Sequence, residues 1–427
     1  MSTVSYGATT SATLSSIWRK AQGKLRDAIN MKVEEFKWLS DLQDAKLVPT
    51  TREMLVPARF RHGYGIAAIS EGAGKAVPST YAPTDLSFTL NHYQGRFSIP
   101  RRIMLIDTNG GGDAQIKQQL AYMALDKLSG FTAYLGDSFY RPSSAISAQS
   151  TTSIGGGATT TFTLSAGFAQ SWITNATYLA NLFQINDRVR LYRDDTKVQV
   201  ANAVGAITAK STTTPSITIT WDGSVPSDTG TTYDIVLANS IDNTQDDYNK
   251  GISGNLTDIL TAATLHGLAT STESEWAAAY TDTTGGRFNG PRLMKGLDEI
   301  ENLSPFEADT VIMAKGVHRD VVSNYQGSLR FMNPMAMQID GKVEAEGVEF
   351  KKSRRVPPGF VAAFASDAWG RFFGKPDVEQ ELQGVGYGDL DESEDYDRLN
   401  GEADWVGNLV CTSRRGFAMW RSLTEIN

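Results

Sequence analysis

The residues best suited to chemistry in this 427-residue chain are few, and their spacing defeats each reaction they suggest. Gly72-Ala-Gly-Lys75 has the small residues and the lysine of a loop whose backbone amides cradle phosphate. That loop requires a glycine where Ile69 stands and Ser or Thr where Ala76 stands, and Pro78 blocks the helix that should follow. The acidic run Asp389 to Asp397 suggests calcium, but Ser393 takes a ligand position, no glycine follows it and the distal Glu is missing. Its default reading is a solvated or arginine-paired face. The four histidines (His62, His92, His266, His318) are not paired at metal-ligand spacing, and the single cysteine, Cys411, excludes a disulfide scaffold or a cysteine-rich zinc site. No His-Glu-x-x-His stretch and no nucleophile elbow occur. With 48 acids, carboxylate pairs for glycoside hydrolysis always exist and single out none. Asn175-Ala-Thr, Asn255-Leu-Thr and Asn302-Leu-Ser match glycosylation sequons without a secretory context. Catalysis and cofactors are therefore not expected.

Composition fits a folded protein: 41% of residues are hydrophobic and 10% aromatic, too many for a disordered chain. The length corresponds to two or three domains at ~150 residues each. No apolar stretch approaches the ~20 residues of a membrane span, and Met1 to Ser16 lacks the basic and apolar regions of a signal peptide, so a soluble protein made in a reducing cytoplasm is expected. The net charge of −8 is unevenly placed. Asp377 to Asp404 holds eleven acids against Arg398 alone, a net −10 that leaves +2 for the rest. Arg52 to Arg102 holds seven bases against three acids, or +4. Two such segments either are solvated faces of one monomer or steer one copy onto another. The chain has no basic patch interleaved with aromatics, which argues against sequence-specific nucleic-acid readout.

The elements behind these patterns read as follows. Ser11 to Leu42 has an apolar stripe at helical spacing and forms an amphipathic arm. Glu53 to Ser70 and Asp85 to Pro100 are two extended arms of a long hairpin with a Gly/Pro-rich tip. In the second arm Leu86, Phe88 and Leu90 alternate with polar residues, and the phase then shifts, which predicts a bulge near His92 to Gly95. Arms of ~12–15 residues would reach ~40–50 Å, long enough to cover another subunit. Asp113 caps a long helix that stops at Gly136. Ser143 to Asn243, rich in Thr, Ser, Ala and Gly, reads as an inserted β-barrel or sandwich-like module with strands at Phe162, Arg188, Val198, Ile217 and Tyr233. The remainder is mixed: helices over Leu256 to Leu268, Arg292 to Leu303 and Gly316 to Tyr325, and strands at Thr310, Gly347, Gly359 and Trp369. Leu409 to Thr412 and Gly416 to Trp420 read as paired strands. The fold class is α+β.

This order of parts resembles the major capsid protein of tailed bacteriophages, the Hong Kong 97-type capsid fold. The resemblance covers roughly residues 11 to 142 and 245 to 427, and the β-module departs from the family plan. The stretches most like the family are Arg96-Phe-Ser-Ile-Pro-Arg-Arg-Ile103, Arg355-Val-Pro-Pro-Gly-Phe-Val-Ala-Ala-Phe364 and Trp369-Gly-Arg-Phe-Phe373. It implies an N-terminal arm (1–48), an extended loop (49–102), a peripheral domain with a spine helix (103–142), the inserted module (143–243), an axial domain (244–375) and a return to the peripheral domain (376–427).

The resemblance also implies self-assembly as pentamers and hexamers into an icosahedral virion shell around double-stranded DNA, built in the host cytoplasm. Its partners would be further copies, a portal, and scaffolding or decoration proteins, with no membrane. Each loop would lie over a neighbour, so that basic Arg59, Arg61, Lys75, Arg96, Arg101 and Arg102 meet acidic Asp389, Asp391, Glu392, Glu394 and Asp395. Leu86, Phe88 and Leu90 would supply apolar contact between subunits. In some family members a loop lysine bonds covalently to a neighbour's asparagine, assisted by a glutamate; Lys75 sits where that lysine would, but neither partner can be matched. The rival readings are an encapsulin-like nanocompartment shell and, from another class, a carbohydrate-binding or carbohydrate-active protein built on the β-module.

Overall fold

In the computed structural model, residues 35–41, 46–48, 53–58, 85–100, 129–130, 133–141, 146–164, 176–228, 232–238, 251–329, 343–345, 348–373, 391–392 and 398–425 are described. Most of the expected arm, the hairpin tip and the first part of the expected spine helix lie outside them. The chain forms two compact units. One joins residues 1–39, 90–137 and 371–408; the other joins 40–89, 138–370 and 409–427. The protein is mixed α+β and rich in sheet.

The arm's helix does not reach Leu42: Glu35–Trp38 is a 3-10 turn and β1 (Ser40–Asp41) follows it. The hairpin root is a three-stranded antiparallel sheet of β2 (Lys46–Val48), β3 (Glu53–Pro57) and β4 (Asp85–Thr89). Its register sets Met54 opposite Phe88 and Val56 opposite Leu86, and all four are buried. The expected alternation therefore produces one apolar face, as a half-buried strand must.

The phase shift has a different cause from a bulge. The strand breaks at Leu90, and β5 (Asn91–Pro100) pairs without interruption to β21 (Arg398–Cys411), Asn91 opposite Gly407 through Pro100 opposite Arg398. A new partner resets which face is buried, so Tyr93 replaces the even-numbered positions. Tyr93 stacks edge-on to Tyr134 at 5.3 Å and lies 5.6 Å from Trp405, its opposite in register. Burial, with the neighbouring Tyr134, pushes its phenol well above the ordinary value. The helix expected from Asp113 is helical at 129–130 and 133–138, ending two residues beyond the expected stop at Gly136.

The inserted module is a six-stranded antiparallel sheet in the order β6-β11-β8-β9-β10-β7. Its strands are β6 (Ile146–Ser150), β7 (Gly157–Thr163), β8 (Arg188–Arg193), β9 (Gln199–Ser211), β10 (Ser216–Val225) and β11 (Tyr233–Leu237). The two edge strands meet at a Ser150–Leu164 bridge, where the Ser150 hydroxyl donates to Thr163 O at 2.7 Å. That bridge brings the two edge strands together at one end, the arrangement expected of a barrel. Phe162, Val189, Leu191, Ile217, Ile219 and Ile235 are fully buried. A short helix, α1 (Ala176–Asn181), lies between β7 and β8.

The second large sheet runs β14-β22-β18-β15-β17-β16. It comprises β14 (Tyr280–Asp282), β15 (Thr310–Met313), β16 (Val343–Ala345), β17 (Val348–Lys352), β18 (Val361–Phe364) and β22 (Phe417–Trp420). β15, β18 and β22 are buried at every position, the pattern of strands covered on both faces. β15 and β17 are parallel, as a crossover through a helix requires; that helix is α4 (Lys315–Leu329). α3 (Gly290–Leu303) is capped by Asn289, whose side chain accepts from Arg292 N. β19 (Trp369–Phe373) and β20 (Asp391–Glu392) both border β21.

Two expectations fail here. The helix expected over Leu256 to Leu268 ends early: α2 spans Leu256–Thr261, and β12 (Thr264–Leu265) and β13 (Leu268–Ala269) form a tight hairpin instead. Both turn residues, His266 (φ 50°) and Gly267 (φ 81°), are left-handed, the requirement of a two-residue hairpin turn. Leu409 to Thr412 and Gly416 to Trp420 are not paired with each other. β21 pairs with β5 and β20, whereas β22 pairs with β18 and β14. Thr412 N donates to Ala368 O and a 3-10 turn at Arg414–Gly416 carries the chain from one sheet to the other.

At the end of β14 a carboxylate organises the following loop. Asp282 accepts from Thr284 N at 2.9 Å, Thr284 Oγ1 at 2.6 Å, and Arg292 Nε and Nη2 at 3.0 and 2.7 Å. Burial alone would push this carboxyl up; the Thr284 and Arg292 hydrogen bonds outweigh it and hold it down at about 2. A depressed carboxyl stabilises the fold above its unfolded value and loses that contribution as pH falls toward the folded value. An acid titration followed by tryptophan fluorescence should therefore show a stability loss between about pH 4 and about pH 2 that Asp282→Asn lacks, the variant being less stable at neutral pH.

Candidate functional site

The hairpin root and the β5–β21 pair position the residues expected to act. Leu86 and Phe88 are 0% and 4% exposed within the single chain. Their apolar faces pack within the chain, Phe88 against the His266 ring, and Leu90 is half-buried. Arg96 lies on β5 opposite Glu402 of β21, and Gln94 lies opposite Asp404. The basic and acidic segments therefore share one sheet of one subunit. Asp391 and Glu392 form β20, opposite Asn400 and Leu399 on β21. Arg59, Arg61, Lys75, Arg101, Arg102, Asp389, Glu394 and Asp395 lie outside the described residues.

Beneath the hairpin root sits a residue that spacing did not single out. His266 is buried at the tip of the β12–β13 hairpin. Its carbonyl accepts from Ser87 N at 3.1 Å, its ring packs edge-on to Phe88 with centroids 6.0 Å apart, and its Nε2 accepts from Cys411 N at 3.2 Å. An accepting Nε2 fixes the neutral tautomer with its proton on Nδ1. Burial, reinforced by the Arg414 cation, pushes the imidazole down to about 3. Burial likewise pushes the Cys411 thiol up to about 12. The His-Gly dipeptide is the one sequence signal that marks this turn.

Among the described residues no group of three or more His, Cys, Asp or Glu is placed to hold a metal ion, and no helix is long and apolar enough to cross a membrane. In the barrel, Asp234 accepts from Lys197 Nζ at 3.2 Å and from Gln149 Nε2, and burial raises its carboxyl despite both. Arg193 pairs with Asp228.

The chain thus combines a three-stranded antiparallel sheet, the antiparallel pair β5–β21 and a mixed sheet with a helical crossover. The chain has the phage major capsid protein fold. A chain of the cyanophage A-1(L) capsid asymmetric unit aligns with 92% of this chain and 93% of its own length, at a TM-score of 0.50 and 10% identity. A Gordonia phage Cozz chain aligns with 91% of this chain and 86% of its own at TM-score 0.40 and 12% identity. A chain of the holo-SrpI encapsulin complex from Synechococcus elongatus aligns with 92% and 89% at TM-score 0.34 and 7% identity. The fold assignment rests on the first alone. No protein-family model matches the chain, and no curated protein matches its sequence.

Proposed function

We propose that this chain is a structural shell protein: a major capsid subunit that assembles as pentamers and hexamers into an icosahedral virion shell around double-stranded DNA, with no catalysis of its own. The observation that carries this reading is the likeness to the cyanophage capsid chain across nearly the full length of both. The described hairpin root supports it, because β3 and β4 leave the sheet at Pro57 and Asp85 with 27 residues between them, enough for a long loop reaching a neighbour. Each loop lies over the next subunit, with Arg59, Arg61, Lys75, Arg101 and Arg102 opposite Asp389, Glu394 and Asp395 of that copy. Arg96 belongs to the same basic set and Leu90 to the apolar contact, and Asp391 and Glu392 extend the acidic face. Exposed pairs contribute only ~0–1 kcal/mol each, so their number sets register and partner choice. A portal, scaffolding or decoration proteins and packaged DNA are the further partners, the DNA held without sequence-specific contact by a net acidic wall. Assembly takes place in the host cytoplasm.

Light scattering and negative-stain microscopy on the purified chain test this. Closed shells or capsomer rings are expected, and the double variant Arg101→Glu/Arg102→Glu is expected to lower the assembled fraction about tenfold with unchanged circular dichroism. Undiminished assembly of that variant overturns the electrostatic pairing. Replacing residues 59–84 with a short turn should give a folded, non-assembling chain; a collapsed fold from this deletion overturns the shell reading in favour of a compact carbohydrate-binding protein.

A further inference from the structure

His266 joins two parts of the chain that approach it from opposite ends of the sequence, within one compact unit. On one side its backbone carbonyl holds the amide of Ser87, and its ring packs on Phe88, both on hairpin strand β4. On the other its Nε2 accepts from the amide of Cys411, the last residue of β21. Space around the joint is tight. A Cβ on Gly254 would lie 2.9 Å from Nε2, and one on Gly267 would lie 3.1 Å from Ser87 Oγ. His266 itself sits at φ 50° in a hairpin turn, so the ring is aimed by a backbone conformation that few residues adopt.

We propose that His266 is the bolt of an acid-releasable joint: neutral, it ties the root of the hairpin to the end of β21, and protonation opens that tie. An imidazolium has no lone pair to accept from Cys411 N–H and would stand charged in a buried site. Of the elements packed on the ring, β4 brings Ser87 and Phe88, residue 254 is glycine, and β21 with its following turn brings Cys411 and Arg414. Arg414 is cationic, so it opposes protonation of the closed joint instead of relieving it. The ring is thus held to about 3 when closed and returns to its ordinary value near 6.5 when open. With the closed value the lower one, the joint is fully held above about pH 6.5, and its opening becomes about tenfold easier for each unit of pH below that. The inference stands whether or not the chain builds a shell; in a shell it would loosen the hairpin at its root without unfolding the barrel.

Cys411 is the chain's single cysteine, buried at the joint, and so reports its opening. Labelling of the full-length chain by 4,4′-dithiodipyridine is measured from about pH 7.5 to about pH 4.5, each rate divided by that of the denatured chain at the same pH. The corrected rate is expected to rise about a hundredfold between about pH 7.5 and about pH 4.5 while far-UV circular dichroism stays native. His266→Gln keeps an oxygen acceptor and cannot titrate, so its profile should be flat. A wild-type profile that changes less than about threefold overturns the proposal, as does labelling that rises only with global unfolding, or a His266→Gln chain that keeps the steep profile. Should His266→Gln not fold, hydrogen exchange at the Ser87 and Cys411 amides of the wild type decides: both must lose protection below about pH 6.5 before the barrel amides do.

Discussion

Gly254→Ala should destabilise the protein by about 3–5 kcal/mol, a large share of the total stability of a folded domain. Gly254 has φ 68°, a left-handed conformation that costs an L-residue about 1–2 kcal/mol. The added methyl also has nowhere to go. It would overlap the Leu409 carbonyl oxygen, lie 2.8 Å from the Leu409 carbonyl carbon and lie 2.9 Å from His266 Nε2. Two of these contacts are backbone and the third is a ring fixed by Cys411 N, so no flexible side chain can yield. Overpacking of this kind adds about 1–3 kcal/mol. The carbonyl of Gly254 also accepts from Trp369 Nε1 at 2.9 Å, so a shifted backbone would strand a fully buried indole. The control is Gly130→Ala, which is helical, exposed and has no atom within 4 Å of its added Cβ. There the same change should stabilise by about 0.5–1 kcal/mol through helix propensity and reduced freedom of the unfolded chain. Urea unfolding of both variants, followed by tryptophan fluorescence, checks the opposite signs. A Gly254→Ala midpoint equal to wild type would show that the β21 end can move away, and would remove the steric basis of the joint.

These two glycines look alike in the sequence, which marks what the sequence could and could not disclose. Local pattern was legible wherever a strand had one apolar face: the alternation at Leu86 and Phe88 gave the correct face of β4, and Tyr233–Leu237 and Trp369–Phe373 gave strands to the residue. The partner of a strand was not legible. β5 and β21 are some 300 residues apart in sequence, and nothing in either names the other. The opposite charges of the two segments were visible, but charge says that segments attract, not that they share a sheet. Hence the phase shift after Leu90 reads as a bulge in the sequence and records a change of partner in the fold. Burial within the subunit was hidden for the same reason. Leu86 and Phe88 are apolar whether they face a neighbour or the His266 turn, and only the folded chain shows the latter. At Leu256 to Leu268 the apolar spacing of Ile259, Leu260, Leu265 and Leu268 overrode the turn signal of His266-Gly267. Residues 263–269 pack as a hairpin, so their spacing had a second solution.

Arg414→Met should cost about 3–5 kcal/mol, and Arg414→Lys should recover less than half of that. Arg414 is 2% exposed and its guanidinium reaches the C-terminal end of α2: Nε donates to Ile259 O at 2.6 Å and Nη1 donates to Ala262 O at 2.8 Å. Nη2 lies 3.5 Å from Asp258 O. A six-residue helix leaves most of its carbonyls without intrahelical partners, and this cation satisfies them while opposing the negative end of the helix dipole. Methionine matches the length of the stem but strands those oxygens in the interior. Lysine keeps the charge but lacks the planar fork, so it can serve one carbonyl well and not both. Burial lowers the Arg414 guanidinium from its ordinary value, yet it stays charged at every pH of interest. That persistence gives the variant a second, independent consequence. Arg414 is the cation that opposes protonation of the closed joint, so Arg414→Met should raise the closed value of His266 and make the Cys411 labelling profile level off at higher pH with a smaller total rise, and Arg414→Lys should stay nearer the wild-type profile. Urea midpoints measure the cap and the labelling profile measures the charge. Loss of stability with an unchanged labelling profile would confine Arg414 to holding α2, and an unshifted midpoint in Arg414→Lys would show that charge alone, without the fork, holds it.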